Sequence, residues 1–237
     1  MVGRVVRLTS RFVWLVLAAL GLMSGACGGG APSGDAQPAG GPLGSQELRR
    51  PRIVVFGDGV TGGAGLAEGQ SYPEVIQRYL DEAGYNYDVA SFGEVGETTA
   101  SAVDRAEGIL DDDIPILILA VGAEDARRGV PVESVKRNLS RIIERARERG
   151  IGVLLVGAEA PPDFGPDYVA TFRQVFVDLA REYGLVVVPA QLEGVTGRRE
   201  LLQPDGITPN ADGARVVADR VWLALQPMVD NLGGGFE

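Results

Sequence analysis

Five short apolar runs punctuate this chain, and each is followed by a stretch of helical periodicity. That alternation constrains the fold more than any single motif. Residues 53–56 (Ile-Val-Val-Phe) end in Gly57-Asp58-Gly59, as a buried parallel strand does on meeting a loop. A weaker run spans 87–90. The strongest spans 114–121, with Pro115 near its start, where the missing N–H is tolerated. Further runs cover 151–156 and 185–188. Between and after them, apolar residues recur at helical spacing over 72–80, 98–110, 132–149, 167–183 and 210–225. The order βαβαβαβαβα predicts an α/β protein: a flavodoxin-like parallel sheet inside a three-layer α/β/α sandwich with right-handed crossovers. Ligand sites in such sheets lie beyond the carboxyl ends of the strands. Here those ends are 57–59, 91–96, 122–125, 157–162 and the long loop 189–209.

The first fifty residues read differently. Arg4, Arg7 and Arg11 precede a twelve-residue apolar run at 12–23, and Ser24-Gly25-Ala26-Cys27 follows. A basic flank, a short apolar stretch and a small-residue site describe an export signal. The run falls short of the roughly 20 apolar residues that cross a bilayer. Cys27 is the only cysteine, so no internal disulfide can form. Its place directly after the small-residue site resembles a bacterial lipobox; the alternative is an ordinary signal peptide with an incidental cysteine. The Gly/Pro/Ala/Ser-rich stretch at 28–45 cannot bury a core and reads as a flexible tether. The expected organisation is a signal peptide at 1–26, a lipidated Cys27 and tether to residue 50, a domain at 51–230 and a disordered tail at 231–237. Loss of the signal removes three arginines and leaves 19 basic against 32 acidic residues, a net charge of −13. Such acidity argues against nucleic-acid binding, and a lipid rather than the protein surface would hold the membrane. The expectation is a monomer, exported and lipid-anchored to a bacterial cell envelope.

The strand ends carry a family resemblance. The segments Val55-Phe56-Gly57-Asp58-Gly59, Ser91-Phe92-Gly93-Glu94, Gly122-Ala123-Glu124-Asp125 and Asp205-Gly206-Ile207-Thr208-Pro209 resemble the four sequence blocks of SGNH/GDSL hydrolases, in the thioesterase I, lysophospholipase and arylesterase branch. The likeness extends over roughly 52–229. It implies the SGNH hydrolase fold, with an attacking serine after Gly-Asp and a histidine base three residues beyond an aspartate. An oxyanion hole of backbone amides, a glycine and an asparagine completes the implied site. In this chain the serine position holds Gly59, the histidine position Thr208 and the asparagine position Glu124; Gly93 and Asp205 remain. No histidine occurs anywhere. Loss of one oxyanion donor typically costs roughly 3–4 kcal/mol, and an ionised Glu124 would add repulsion on the order of 4 kcal/mol at intermediate dielectric.

These substitutions lead to the expectation of a catalytically inactive pseudoenzyme: an envelope lipoprotein with no catalytic residue that binds a ligand or a partner. Asp58, Gly93, Glu124, Asp205 and Thr208 would form its site, and a small molecule or glycan fragment its ligand. Three alternatives stand beside it. One is a carboxylate-dependent acyl-ester hydrolase using Glu124 and Asp205, one a structural lipoprotein without a small ligand, and one a Ca²⁺ site at the same two carboxylates. No dense acidic loop favours a metal, and the glycines at 57–65 lack the spacing of a dinucleotide fingerprint, so neither metal nor cofactor is expected. Glycines 57, 59, 62, 63 and 65 read as backbone-geometry residues. Asp58 and Asp125 read as acceptors for loop amides, and Glu97-Thr98-Thr99 as a helix cap.

The lipid expectation has a direct test. The full chain expressed in a bacterial host should partition into a detergent phase, and Cys27→Ser should move it to the aqueous phase. Aqueous partitioning of the unaltered chain would refute lipidation.

Overall fold

A computed structural model describes residues 50–111 and 113–233. The expected signal and the tether up to residue 49, with Cys27, lie outside the described residues, as does the tail beyond Gly233. Five strands form one sheet: β1 (Arg52–Gly57), β2 (Asp88–Gly93), β3 (Ile116–Ala120), β4 (Gly152–Val156) and β5 (Val186–Val188). All pairings are parallel and the order is β2-β1-β3-β4-β5, the flavodoxin-like arrangement that the alternation predicts. Six helices connect and flank them: α1 (Tyr72–Glu82), α2 (Thr99–Ile109), α3 (Ala123–Arg128), α4 (Val132–Glu148), α5 (Pro166–Tyr183) and α6 (Ala211–Gly233).

The period of two along each strand sorts the core into two layers. Val54, Phe56, Leu117, Leu119, Val153 and Leu155 point to one face, where α2, α4 and α5 cover them. Ile53, Val55, Ile116, Ile118, Leu154 and Val156 point to the other, under α1 and α6. Both faces are dry, which is why β1 and β3 read as continuous apolar runs. Each fully buried side chain of this kind contributes roughly 1.5–3 kcal/mol.

The structure shifts several expected boundaries. β2 runs to Gly93, beyond residue 90, because Ser91, Phe92 and Gly93 pair in register with Val55, Phe56 and Gly57. β3 begins at Ile116 rather than 114; the Pro115 carbonyl instead accepts from Gly152 N–H (3.0 Å). α6 continues through Pro227 to Gly233, so residues 231–233, expected in the tail, belong to a helix whose Leu225 and Val229 are buried. Arg50, expected to end the tether, is held by Asn86 and Asp88 (2.7 and 3.2 Å).

The largest omission from the sequence reading is α3. Residues 122–125 were expected to be a loop, yet Gly122 opens a six-residue helix closed by Gly129 in the left-handed region. Six residues are too few to display an apolar stripe. The helix is anchored instead by Asp125, a buried carboxylate that accepts from the Thr99 amide (2.7 Å) and hydroxyl (2.8 Å) at the start of α2. Asp125→Ala should leave two buried donors unpaired and cost about 3 kcal/mol in urea unfolding. A loss below about 1 kcal/mol would show that α3 is held by other contacts.

Candidate functional site

The chain leaving β1 turns back immediately. Gly62 N–H donates to the Asp58 carbonyl (3.0 Å) and Ala64 N–H to the Gly59 carbonyl (2.9 Å). This curl fits only because its neighbours lack side chains. A Cβ on Gly57 would sit 2.0 Å from Thr61 Oγ1, and one on Gly93 would sit 2.0 Å from the Gly62 nitrogen. Gly63 and Gly65 take positive φ (67° and 76°). Gly59 is the exception among the five glycines. It stays outside the left-handed region, and a Cβ there would meet nothing nearer than Val95 Cγ2 at 3.3 Å. Backbone geometry does not demand a glycine at 59, though a Cβ there would press on Val95.

Gly59 lines a cleft of about 160 Å³ together with Asp58, Val95, Glu124, Arg127 and Thr208, among others. Its walls come from the ends of β1 and β2, from α3, and from the loop between β5 and α6, the region that strand order singles out. Of the expected site residues, the structure brings Asp58, Gly59, Glu124 and Thr208 together. Gly93 and Asp205 do not line the cleft. Gly93 packs behind it on Gly62 and borders a separate cavity with Ser91 and Thr61. Asp205 is exposed and accepts from Thr208 Oγ1 (2.6 Å) and from the Ile207 and Thr208 amides (both 2.9 Å), which hold its carboxyl below the usual range. Glu94 pairs with Arg105 (3.0 Å) outside the cleft. Thr98 caps α2, accepting from Ser101 N–H (3.2 Å), while Glu97 turns inward to Ser101 and Arg105.

Two carboxylates set the electrostatics. Asp58 is 6% exposed and accepts from Val60 N–H (3.0 Å). Burial pushes its carboxyl up to about 6, against the pull of the Val60 and Thr61 amides and the Arg127 charge. Beneath it, Thr61 and Tyr72 share a buried hydrogen bond of 2.8 Å, and burial drives the Tyr72 phenol upward. Glu124, 8% exposed, behaves oppositely. Burial raises it, but hydrogen bonds from Arg127 and from Arg128 Nε (2.5 Å) outweigh that and leave its carboxyl below the ordinary range. The expected free anion at 124 is therefore absent. Two guanidiniums face this carboxylate and neutralise it. The repulsion argued from an isolated Glu124 falls with it.

The same geometry removes two alternatives. Glu124 is occupied by arginines and Asp205 by Thr208, so they form neither an acid–base pair nor a shared cation site. No group of three or more His, Cys, Asp or Glu side chains suited to a metal exists among the described residues. The sequence reading missed Arg127, Leu192 and Ile207. Arg127 lies three residues beyond Glu124, a spacing that signals an ion pair once residues 123–128 are recognised as helix; the apolar lining residues carry no such signal.

Comparison with known proteins places this arrangement. Residues 55–216 match the GDSL-like lipase/acylhydrolase family. Esterase TesA of Pseudomonas aeruginosa is 31% identical over 186 residues, covering 78% of this chain and 92% of the relative. An arylesterase of Vibrio mimicus is 28% identical over 76% of this chain and 90% of its own length. The crystal structure of TesA superposes with a TM-score of 0.72 at 30% identity, over 75% of this chain and 99% of that one. These relatives are named esterases. They overturn the expectation of a catalytically inactive protein that only binds a ligand or a partner, which had rested on the substitutions at Gly59, Glu124 and Thr208.

Asp58 supplies a stability test. Its carboxyl is ordinary in the unfolded chain and raised to about 6 in the folded one, so the unfolded state loses its proton first as pH rises. The native state is unpenalised below about pH 4, and the full cost, on the order of 3 kcal/mol, applies above about pH 6. Asp58→Asn keeps the oxygen acceptor without the charge. Its stability relative to the unaltered chain should rise by that amount between about pH 4 and 7.5 in chemical denaturation. A gap that does not change with pH would place Asp58 in a wetter setting.

Proposed function

Because this chain belongs to the GDSL-like lipase/acylhydrolase family, we propose that it acts on acyl esters in the cleft beside Asp58, with water rather than a side-chain hydroxyl as the attacking oxygen. Toward the serine–histidine route the chain is a pseudoenzyme in this proposal. Gly59 offers no nucleophile, Thr208 is no base near neutral pH, and the chain contains no histidine. The observation that carries the reading is Asp58: a buried carboxylate whose proton affinity is raised to about 6, lining the cleft next to a residue without a side chain. At neutral pH it is ionised yet a better base than an exposed aspartate. It would take a proton from water as the water oxygen bonds to the acyl carbon, then return it to the departing alkoxide. Arg127 lines the same cleft and would donate to the nascent oxyanion. The envelope location and lipid anchor rest on residues 4–27 and are proposed with it.

General-base catalysis contributes about 10²–10⁴-fold, so turnover should be slow beside a serine esterase. Hydrolysis of p-nitrophenyl butyrate should saturate, with kcat rising through about pH 6. Asp58→Asn should lower it about 100-fold or more, and Arg127→Ala about tenfold or more. A serine-directed fluorophosphonate should leave the protein unlabelled. Turnover no faster than buffer, turnover unchanged in Asp58→Asn, or stoichiometric labelling would each overturn the proposal.

A further inference from the structure

A groove of about 490 Å³ lies between the last turn of α1 and the middle of α6, sharing no lining residue with the cleft. Its walls include Tyr79 and Trp222, whose ring centroids are 5.9 Å apart and inclined at 61°. Tyr85 also packs on Trp222, at 6.1 Å and 61°. Inclined rings form walls rather than a stack, and the rim is acidic: Glu82 and Asp219 line the groove, with Asp230 beyond, on Tyr85. Tyr79 OH donates to Asp219 (2.6 Å), fixing the ring and bringing the carboxylate to its edge. Of the cations near Tyr79, Arg78 is turned away onto the Gly69 carbonyl (2.7 Å) and Arg215 lies one turn before Asp219. Leu223 on the groove wall is 74% exposed, an apolar side chain with no cover.

We propose that this groove is a binding site for a free quaternary ammonium compound of about the size of choline. Aromatic faces attract cations, most strongly those of tryptophan. A quaternary nitrogen has no N–H, so it asks for no acceptor inside the groove, and its methyl groups suit the apolar walls. The carboxylates supply charge complementarity within a chain of net charge −10, and they would repel a fatty-acid anion. The site rests on none of the chemistry at the cleft.

Calorimetric titration of the full chain with choline chloride tests the proposal. Choline should saturate, and its neutral carbon isostere, with carbon in place of nitrogen, should bind about tenfold more weakly or not at all. Trp222→Leu should weaken choline binding about tenfold, and the exposed Glu82→Gln should weaken it severalfold while leaving the melting temperature unchanged, which keeps the test valid if the tryptophan variant unfolds. Equal binding of the isostere, failure of choline to saturate, or indifference to Glu82→Gln would overturn the proposal. Saturation by N-acetylglucosamine or by phosphatidylcholine vesicles without saturation by free choline would equally overturn it.

Discussion

Strand β1, between β2 and β3, has to end in a curl tight enough for its backbone to lie against β2, and that curl exists because Gly57, Gly62 and Gly93 carry no Cβ. Any side chain at Gly57 or Gly93 would penetrate the turn. The consequence reaches the cleft. With Gly62 N–H bonded to the Asp58 carbonyl, the Asp58 side chain is folded under the loop and accepts from Val60 N–H (3.0 Å). Its burial, and so its raised proton affinity, follows from the close approach of two backbones on neighbouring strands.

The second constraint is the short helix α3. A helix of six residues contributes little stability of its own, and this one is pinned through Asp125 to the first residue of α2. Pinning it places Glu124 and Arg127 on the cleft wall. The turn of the helix then brings Arg127 and Arg128 onto the same carboxylate. A residue that would oppose a developing negative charge is thereby neutralised. Electrostatic character at this wall is thus a property of three residues and a helical turn, not of Glu124 alone.

The layers were legible in the sequence because buried parallel strands and amphipathic helices leave periods of two and 3.6 that survive without any structure. The boundaries of β2 and α6 were less so. Ser91 and Gly93 are weak strand formers held by register with β1, and the helical periodicity read to residue 225 continues, through packing of Leu225 and Val229, past Pro227. Within the site, Asp58, Gly59, Glu124 and Thr208 were singled out by the resemblance of the segments that carry them to the family's sequence blocks. The exclusion of Gly93 and Asp205 from the cleft wall was not legible there, since each is withdrawn by a local contact: Gly93 against Gly62, Asp205 onto Thr208.

Sequence by itself determined the layered α/β architecture, the region where a ligand can bind, and the chemical inventory of that region: no imidazole anywhere and no hydroxyl at Gly59. Only the tertiary structure decided what charge that region presents. Proton affinity depends on how much water a carboxylate keeps and on which cations come within bonding distance, and elements far apart in the chain set both. The loop folded over Asp58 raises it, and two arginines that helix α3 turns toward Glu124 lower that one.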